Sequence, residues 1–328
     1  MIRIISAASQ ALRLALFCIA VSIEVSGCGG GPMGPGPTPL QISCPAPIER
    51  ESPLGQPITV VYTPTTAGGS GAVTTTCQPA SGGEFPVGTT TVQCTARDAE
   101  ARTSSCSFNV VVKGAPKLSL THFIAFGDSL TQGTVAPNAF LTLVLNSASY
   151  PFKLEMLLKD RYRTQTVTVG NDGLPGEQVH PEGQDRFGSM LRVHDPEAVL
   201  LMEGSNDLFF DRDAAFATAL PALEEMVTEA QENGSKVFLA TIPPQRANGA
   251  LNRAAVAALI PDFNKEIREI ARRTGATLVD IEPVILADMT LIGNDDLHPT
   301  ERGYQVIAET FFKVIRETLE TSASPAIQ

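Results

Sequence analysis

The apolar positions of the chain change rhythm twice, dividing it into three regions. Leu14 to Ile23 (LALFCIAVSI) is an unbroken apolar run preceded by Arg3 and Arg13. It is too short to cross a bilayer, and behind a positively charged start it has the form of a signal-peptide core. Residues 41–113 break instead into short β-branched or alternating stretches: Pro57-Ile58-Thr59-Val60-Val61-Tyr62, Thr89 to Ala96, and Ser105 to Val112. Turn-forming runs separate them, Ala67-Gly68-Gly69-Ser70-Gly71 and Ser81-Gly82-Gly83. Several short strands punctuated by turns in so little chain predict a small β-sandwich.

From Leu120 onward, short apolar stretches alternate with longer segments of helical periodicity. Strands are expected at Leu120 to Phe126, Gln165 to Gly170, Ala198 to Glu203, Lys236 to Ile242 and Ala276 to Ile281. Helices are expected at Pro151 to Tyr162, Ala214 to Asn233, Asn252 to Thr274 and Glu301 to Leu319. In the second of these, Leu220, Leu223, Met226 and Ala230 recur at helical spacing. Strand–helix alternation predicts an α/β unit built on a parallel sheet, with any site beyond the carboxyl ends of the strands.

The organisation expected from these shifts is a signal peptide (1–27), a tether (28–40), the β unit (41–113), a linker (114–119), the α/β unit (120–320) and a tail (321–328). The tether is almost all glycine and proline, which form neither helix nor strand. Composition changes little in this picture: 43% apolar and 18% charged residues are ordinary for a folded chain. The net charge of −11 and the lack of a basic stripe exclude nucleic acid as an expected partner.

Cysteine usage adds more. Val25-Ser26-Gly27-Cys28 resembles the bacterial lipobox, which implies lipidation of Cys28 and a membrane-anchored, extracytoplasmic protein. Cys44, Cys77, Cys94 and Cys106 all fall in the β unit. An even number in an exported chain implies disulfides. The absence of a C-x-x-C pair or nearby histidine argues against zinc. Three connectivities are open; the pairing expected is Cys44–Cys106, tying first strand to last, with Cys77–Cys94 closing a hairpin.

Four polar clusters in the α/β unit carry the candidate chemistry. Gly127-Asp128-Ser129-Leu130 follows the first strand, Asn171-Asp172-Gly173-Leu174-Pro175-Gly176 the second, and Gly204-Ser205-Asn206-Asp207 the third. Asp295-Asp296-Leu297-His298-Pro299 sits between the last strand and the last helix. All four should therefore meet on one rim. A serine hydroxyl needs a base, and the imidazole that serves needs a carboxylate to hold it. Ser129, His298 and Asp295 can form that set. Acyl transfer also needs donors aimed at a developing oxyanion. The Ser129 N–H, the Gly176 N–H and the Asn206 amide are the candidates. Asp128 and Asp207 read as groups that support turns. His122, His180 and His194 lack a matching partner pattern and read as structural or surface residues, with His180 placed nearest the pocket.

These four blocks, in this order, resemble the SGNH or GDSL hydrolases: Ser129 in GDSL, Gly176 in N-x-G-x-x-G, Asn206 in G-x-N-D, and Asp295 with His298 in D-x-x-H. The resemblance spans about Leu120 to Leu319 and implies a flavodoxin-like three-layer α/β/α sandwich that hydrolyses carboxylic esters without a metal or cofactor. The segment from Gln132 to Ser149 is longer than in compact members and is expected to shape the pocket or cover it. In the β unit, Ser43-Cys44-Pro45, Phe85 to Ala96 and Cys106-Ser107-Phe108 resemble the HYR (hyalin repeat) module, which implies an immunoglobulin-like fold; a disulfide-stapled spacer is the role expected of it ahead of the alternative, a surface contact with glycan or protein. Two other functions stay open: acyl transfer to a sugar or lipid acceptor by the same triad, and non-enzymatic binding at the surface. The expected substrate is a small-molecule, glycan or lipid ester.

Overall fold

A computed structural model of the protein describes residues 38–321. The expected signal peptide, the lipidation site Cys28, most of the tether and all but the first residue of the tail lie outside the described residues.

The β unit is built on a four-stranded sheet of β1 (Ile48–Glu51), β2 (Thr74–Gln78), β3 (Gly88–Arg97) and β4 (Thr103–Lys113), in the order β1-β4-β3-β2. Two small antiparallel pairs complete it: Gln41–Ser43 with Thr65–Ala67, and Ile58–Thr59 with Glu84–Phe85. Along β3, alternate residues Val92, Cys94 and Ala96 are buried, the period-two signature of a sheet with one wet face. Cys44 is joined to Cys106 and Cys77 to Cys94.

The larger unit has a five-stranded parallel sheet: β5 (His122–Gly127), β6 (Thr168–Gly173), β7 (Ala198–Met202), β8 (Lys236–Ala240) and β9 (Thr277–Val279). Their order is β6-β5-β7-β8-β9, the flavodoxin order, whose switch point lies beside β5. Every residue of β7 is buried, as a strand covered on both faces requires. Helices α1 (Tyr150–Arg161) and α5 (Glu301–Leu319) cover one face, where the Tyr150 and Phe311 rings stack with centroids 5.0 Å apart. Helices α2 (Gln184–His194), α3 (Ala215–Glu232) and α4 (Ile260–Thr274) form the opposite layer. The result is a three-layer α/β/α sandwich.

Several expectations need correction. The helix expected from Asn252 to Thr274 is broken into Ala254–Ala257 and α4. Pro261, in the first turn of α4, lacks the N–H that would continue a helix, but is well suited to start one. Helix α2 was not expected, because its apolar face is thin: only Phe187, Gly188, Met190 and Leu191 are buried. The second strand begins at Thr168 rather than Gln165. The linker and tail are also partly structured: Lys117–Leu118 pairs antiparallel with Glu320–Thr321, which fastens the end of α5 to the start of the sheet. Arg161 reinforces this corner with two bonds to Glu320, at 2.6 and 2.7 Å.

Candidate active site

The loop after β5 is shaped by close approach. A Cβ on Gly127 would lie 2.2 Å from the Met202 carbonyl oxygen and 2.3 Å from Thr131 Oγ1, so only glycine fits against β7. Asp128 then caps a single helical turn, Ser129–Gln132, by accepting the Leu130 N–H at 2.7 Å. Ser129 is the first residue of that turn, so its N–H has no partner inside the helix.

The Asp295–His298 turn rests on that serine. Asp295 Oδ1 accepts the backbone N–H of Leu297 (3.2 Å) and of His298 (3.0 Å), which folds the two side chains to the same side. The other oxygen, Oδ2, lies 2.5 Å from His298 Nδ1. With Nδ1–H donating there, Nε2 is left to accept the Ser129 hydroxyl proton across 2.8 Å. All three residues are buried, with exposures of 2% for Asp295 and 7% for Ser129 and His298. Burial raises the affinity of Asp295 for a proton, but His298 and the two backbone N–H groups outweigh that and hold its pKa below the ordinary value.

Gly176 and Asn206 are brought to the same rim through their neighbours. Asn206 Nδ2 donates to the Glu177 carbonyl at 2.8 Å and reaches Asp128 Oδ2 at 3.3 Å. Gly176 has φ +81° with nothing within 4 Å of a built Cβ, so backbone conformation rather than space calls for glycine. Among the described residues, the Gly176 N–H has no acceptor. The loop itself is clamped by Arg186, which pairs with Glu177 at 2.5 Å and Asp172 at 2.9 Å while lying 3.9 Å over the Phe126 ring. Asp207 accepts the Val179 N–H at 3.0 Å and so fixes the far end of the loop.

Other groups had no readable signal in the sequence. Asp296, fully buried beside Asp295, accepts Arg246 Nη1 (2.8 Å) and the Leu251 N–H (2.7 Å), pinning the loop after β8 to the triad turn. Arg253 donates to the Asp295 carbonyl at 3.0 Å. Glu203, at the end of β7, is buried with both oxygens unpartnered; burial first, then the nearby Asp128, Glu177 and Asp207, hold its pKa well above the usual carboxylate range. Burial likewise pushes Asp128 up to about 7 and Asp207 up to about 6.

The remaining histidines stand apart from the triad. His122 bonds Thr168 and the His194 carbonyl at the amino end of the sheet, away from the rim. His180 bonds Gln184. The segment from Gln132 to Ser149 contains a hairpin, Thr134–Asn138 with Leu141–Val144, whose first strand accepts two bonds from Asn294, the residue before Asp295, at the Ala136 and Pro137 carbonyls. Among the described residues no group of three His, Cys, Asp or Glu side chains is arranged to hold a metal.

Comparison with known proteins gives the same outline. The model of the GDSL-like lipase/acylhydrolase family matches residues 125–306, more than half of the chain, and that of the HYR domain matches residues 37–112. An acetylxylan esterase from Xylanibacter ruminicola is 22% identical over 222 residues, covering 62% of this chain but only 44% of that relative. The chain thus spans less than half the length of this curated relative. Among solved structures, a lipase/acylhydrolase from Enterococcus faecalis aligns over 64% of this chain and 100% of its own, with 20% identity and a TM-score of 0.52. An acetyl xylan esterase from Geobacillus stearothermophilus aligns over 60% and 95%, with 20% identity and a TM-score of 0.48.

Proposed function

The chain belongs to the GDSL-like lipase/acylhydrolase family, and from that premise we propose that it hydrolyses carboxylic esters through a Ser129–His298–Asp295 triad and an acyl-enzyme. The observation that carries this reading is the continuous chain of bonds from Asp295 Oδ2 through His298 to Ser129 Oγ.

His298 Nε2 removes the Ser129 proton as Oγ bonds to the ester carbonyl carbon. The carbonyl π electrons move to oxygen, and Asp295 steadies the imidazolium formed. In this reading the oxyanion is received by the N–H groups of Ser129 and Gly176 and by the Asn206 amide, which gives up its 3.3 Å bond to Asp128 Oδ2 to reach it. Collapse of the intermediate breaks the carbon–alkoxy bond, and the leaving alkoxide takes the proton held at Nε2. Water then repeats the sequence against the acyl-enzyme: it gives a proton to His298, the acyl–Oγ bond breaks, and Ser129 recovers its proton. Acetylated glycans are the substrate class we carry forward, because the matched relative from Xylanibacter ruminicola bears the name acetylxylan esterase.

Turnover of a short-chain nitrophenyl ester tests the reading. Ser129→Ala is expected to lower kcat by about 10⁴-fold or more with folding retained. Undiminished turnover by the folded variant overturns it.

A further inference from the structure

A cavity of about 190 Å³ is bounded by Phe209, Arg212, Leu251, Arg253 and Val256; no triad residue lines it, and Arg253 links it to the triad turn. A larger one, about 580 Å³, lies between α3 and α4. The smaller cavity joins two pieces of the site. Phe209 sits on the short helix Ser205–Phe210 that carries Asn206, and Arg253 donates to the backbone of Asp295.

Its chemistry is unusual for this protein. The guanidinium carbons of Arg212 and Arg253 lie 5.6 and 5.4 Å from the centroid of the same Phe209 ring. Elsewhere near the site, arginines are spent on carboxylates: Arg186 on Glu177 and Arg246 on Asp296. Among the described residues, no carboxylate forms an ion pair with Arg212 or Arg253, and no acidic side chain lines the cavity. Asp211, next to Arg212, is engaged by Gln178 at 2.6 Å. Arg253 commits only its Nε, to the Asp295 carbonyl, and Arg212 only Nη1, to the Leu208 carbonyl at 3.4 Å. Each guanidinium carries five N–H donors, so most of the forks remain free. The ring supports both cations by its face without neutralising either.

Two guanidinium groups with no direct carboxylate partner face one small cavity, Arg253 feeling only the more distant charges of Asp295 and Asp296. In a chain of net charge −11 such a pair offers an anionic ligand local attraction against the long-range repulsion. We propose that the cavity between Phe209, Arg212 and Arg253 is a substrate subsite for an anionic group, a carboxylate or a phosphate, carried by the ester that Ser129 attacks. The proposal rests on the hydrolase reading, and within it narrows the substrate from any ester to one bearing a negative group, such as an acetylated glycan with uronate or phosphate substituents.

Three aryl acetates test it on the full chain: methyl 4-acetoxybenzoate, 4-acetoxybenzoate and 4-acetoxyphenyl phosphate. The ratio of kcat/KM for each anionic ester to that for the neutral ester is expected to fall about tenfold in Arg212→Gln and further in Arg212→Glu. Comparing the two anionic arms separates carboxylate from phosphate. Because each variant is referred to its own rate on the neutral ester, a general loss of folded enzyme cancels. The same esters are titrated calorimetrically into Ser129→Ala protein, where the Kd of the preferred anion is expected to weaken about tenfold on adding Arg212→Gln. Unchanged rate ratios and an unchanged Kd overturn the subsite. A hydrolysis rate that does not depend on Ser129, with Kd still dependent on Arg212, overturns the catalytic reading and leaves the subsite standing.

Discussion

Each folded region buries carboxylates, and one from each makes a contrast. In the β unit the buried carboxylate Asp98 has every acceptor site occupied: it takes the N–H groups of Ser70, Glu100 and Arg102 and the Arg102 side chain, all within 3.1 Å. In the α/β unit Glu203 is buried with no partner at all, close to Asp128, Glu177 and Asp207. The difference follows from core size. The β unit closes over a small cluster around Val60, Tyr62, Phe85, Val92, Phe108, Val110 and Val112, and relies on two disulfides. The α/β unit buries both faces of a five-stranded sheet. A small core cannot carry an unsatisfied polar group, whereas a large one tolerates the cost of a poorly solvated acid at the end of a central strand. Chemistry therefore belongs to the second region and shape to the first.

The sharpest way to separate chemistry from shape is Asp295→Asn. It keeps the volume of the side chain but removes the charge that steadies the imidazolium, so kcat is expected to fall about 10³- to 10⁴-fold while the α/β unit stays folded and the β unit unfolds as before. A loss of less than tenfold would mean that the carboxylate does not serve His298.

The reverse dissociation is expected in the β unit. Replacing Cys44 and Cys106 by alanine opens a 62-residue separation, and loop entropy sets the resulting loss at about 4 kcal/mol in that unit. Ester turnover should be unaffected. Differential scanning calorimetry alongside an esterase assay checks both halves, and a parallel loss of activity would break the division of labour.

The smallest effect concerns pH. Asp128 titrates at about 7 in the folded chain against an ordinary value of 3.8. Between these limits the native state keeps a proton that the unfolded state has released. Its contribution is therefore complete below about pH 4 and is lost as pH rises toward 7. Asp128→Asn should flatten the fall in stability over that window by up to about 1.4 kcal/mol per pH unit. Urea unfolding of the α/β unit at pH 5 and pH 7 measures it; an identical slope in the variant would show that burial does not perturb Asp128.

Legibility in the sequence tracked how local each feature is. Helix α5 was readable at both ends, because Thr300 caps it by accepting the Gly303 N–H and its apolar positions recur cleanly. Helix α2 was not, since it presents too narrow an apolar face, and the break before α4 turns on the single residue Pro261. The serine, histidine and aspartate of the candidate site were legible because each sits in a short motif after a strand. Arg253, Asp296 and Glu203 carry no such mark, since what defines them is a partner, or the lack of one, from a distant stretch of chain.

Sequence alone determined the element alternation, and with it a parallel sheet and a single rim to which Ser129, Gly176, Asn206, Asp295 and His298 had to come. Period and turn chemistry act over a few residues, so a linear reading recovers them. The cysteine pairing shows where that reading stops. Cys94 faces Cys77 on one neighbouring strand and Cys106 on the other, so three-dimensional register left two partners adjacent. The position of Cys44 beside β4 decided between them. The convergence of Arg212 and Arg253 on one phenylalanine ring was likewise fixed only by packing, because contacts between residues far apart in sequence depend on how the layers close.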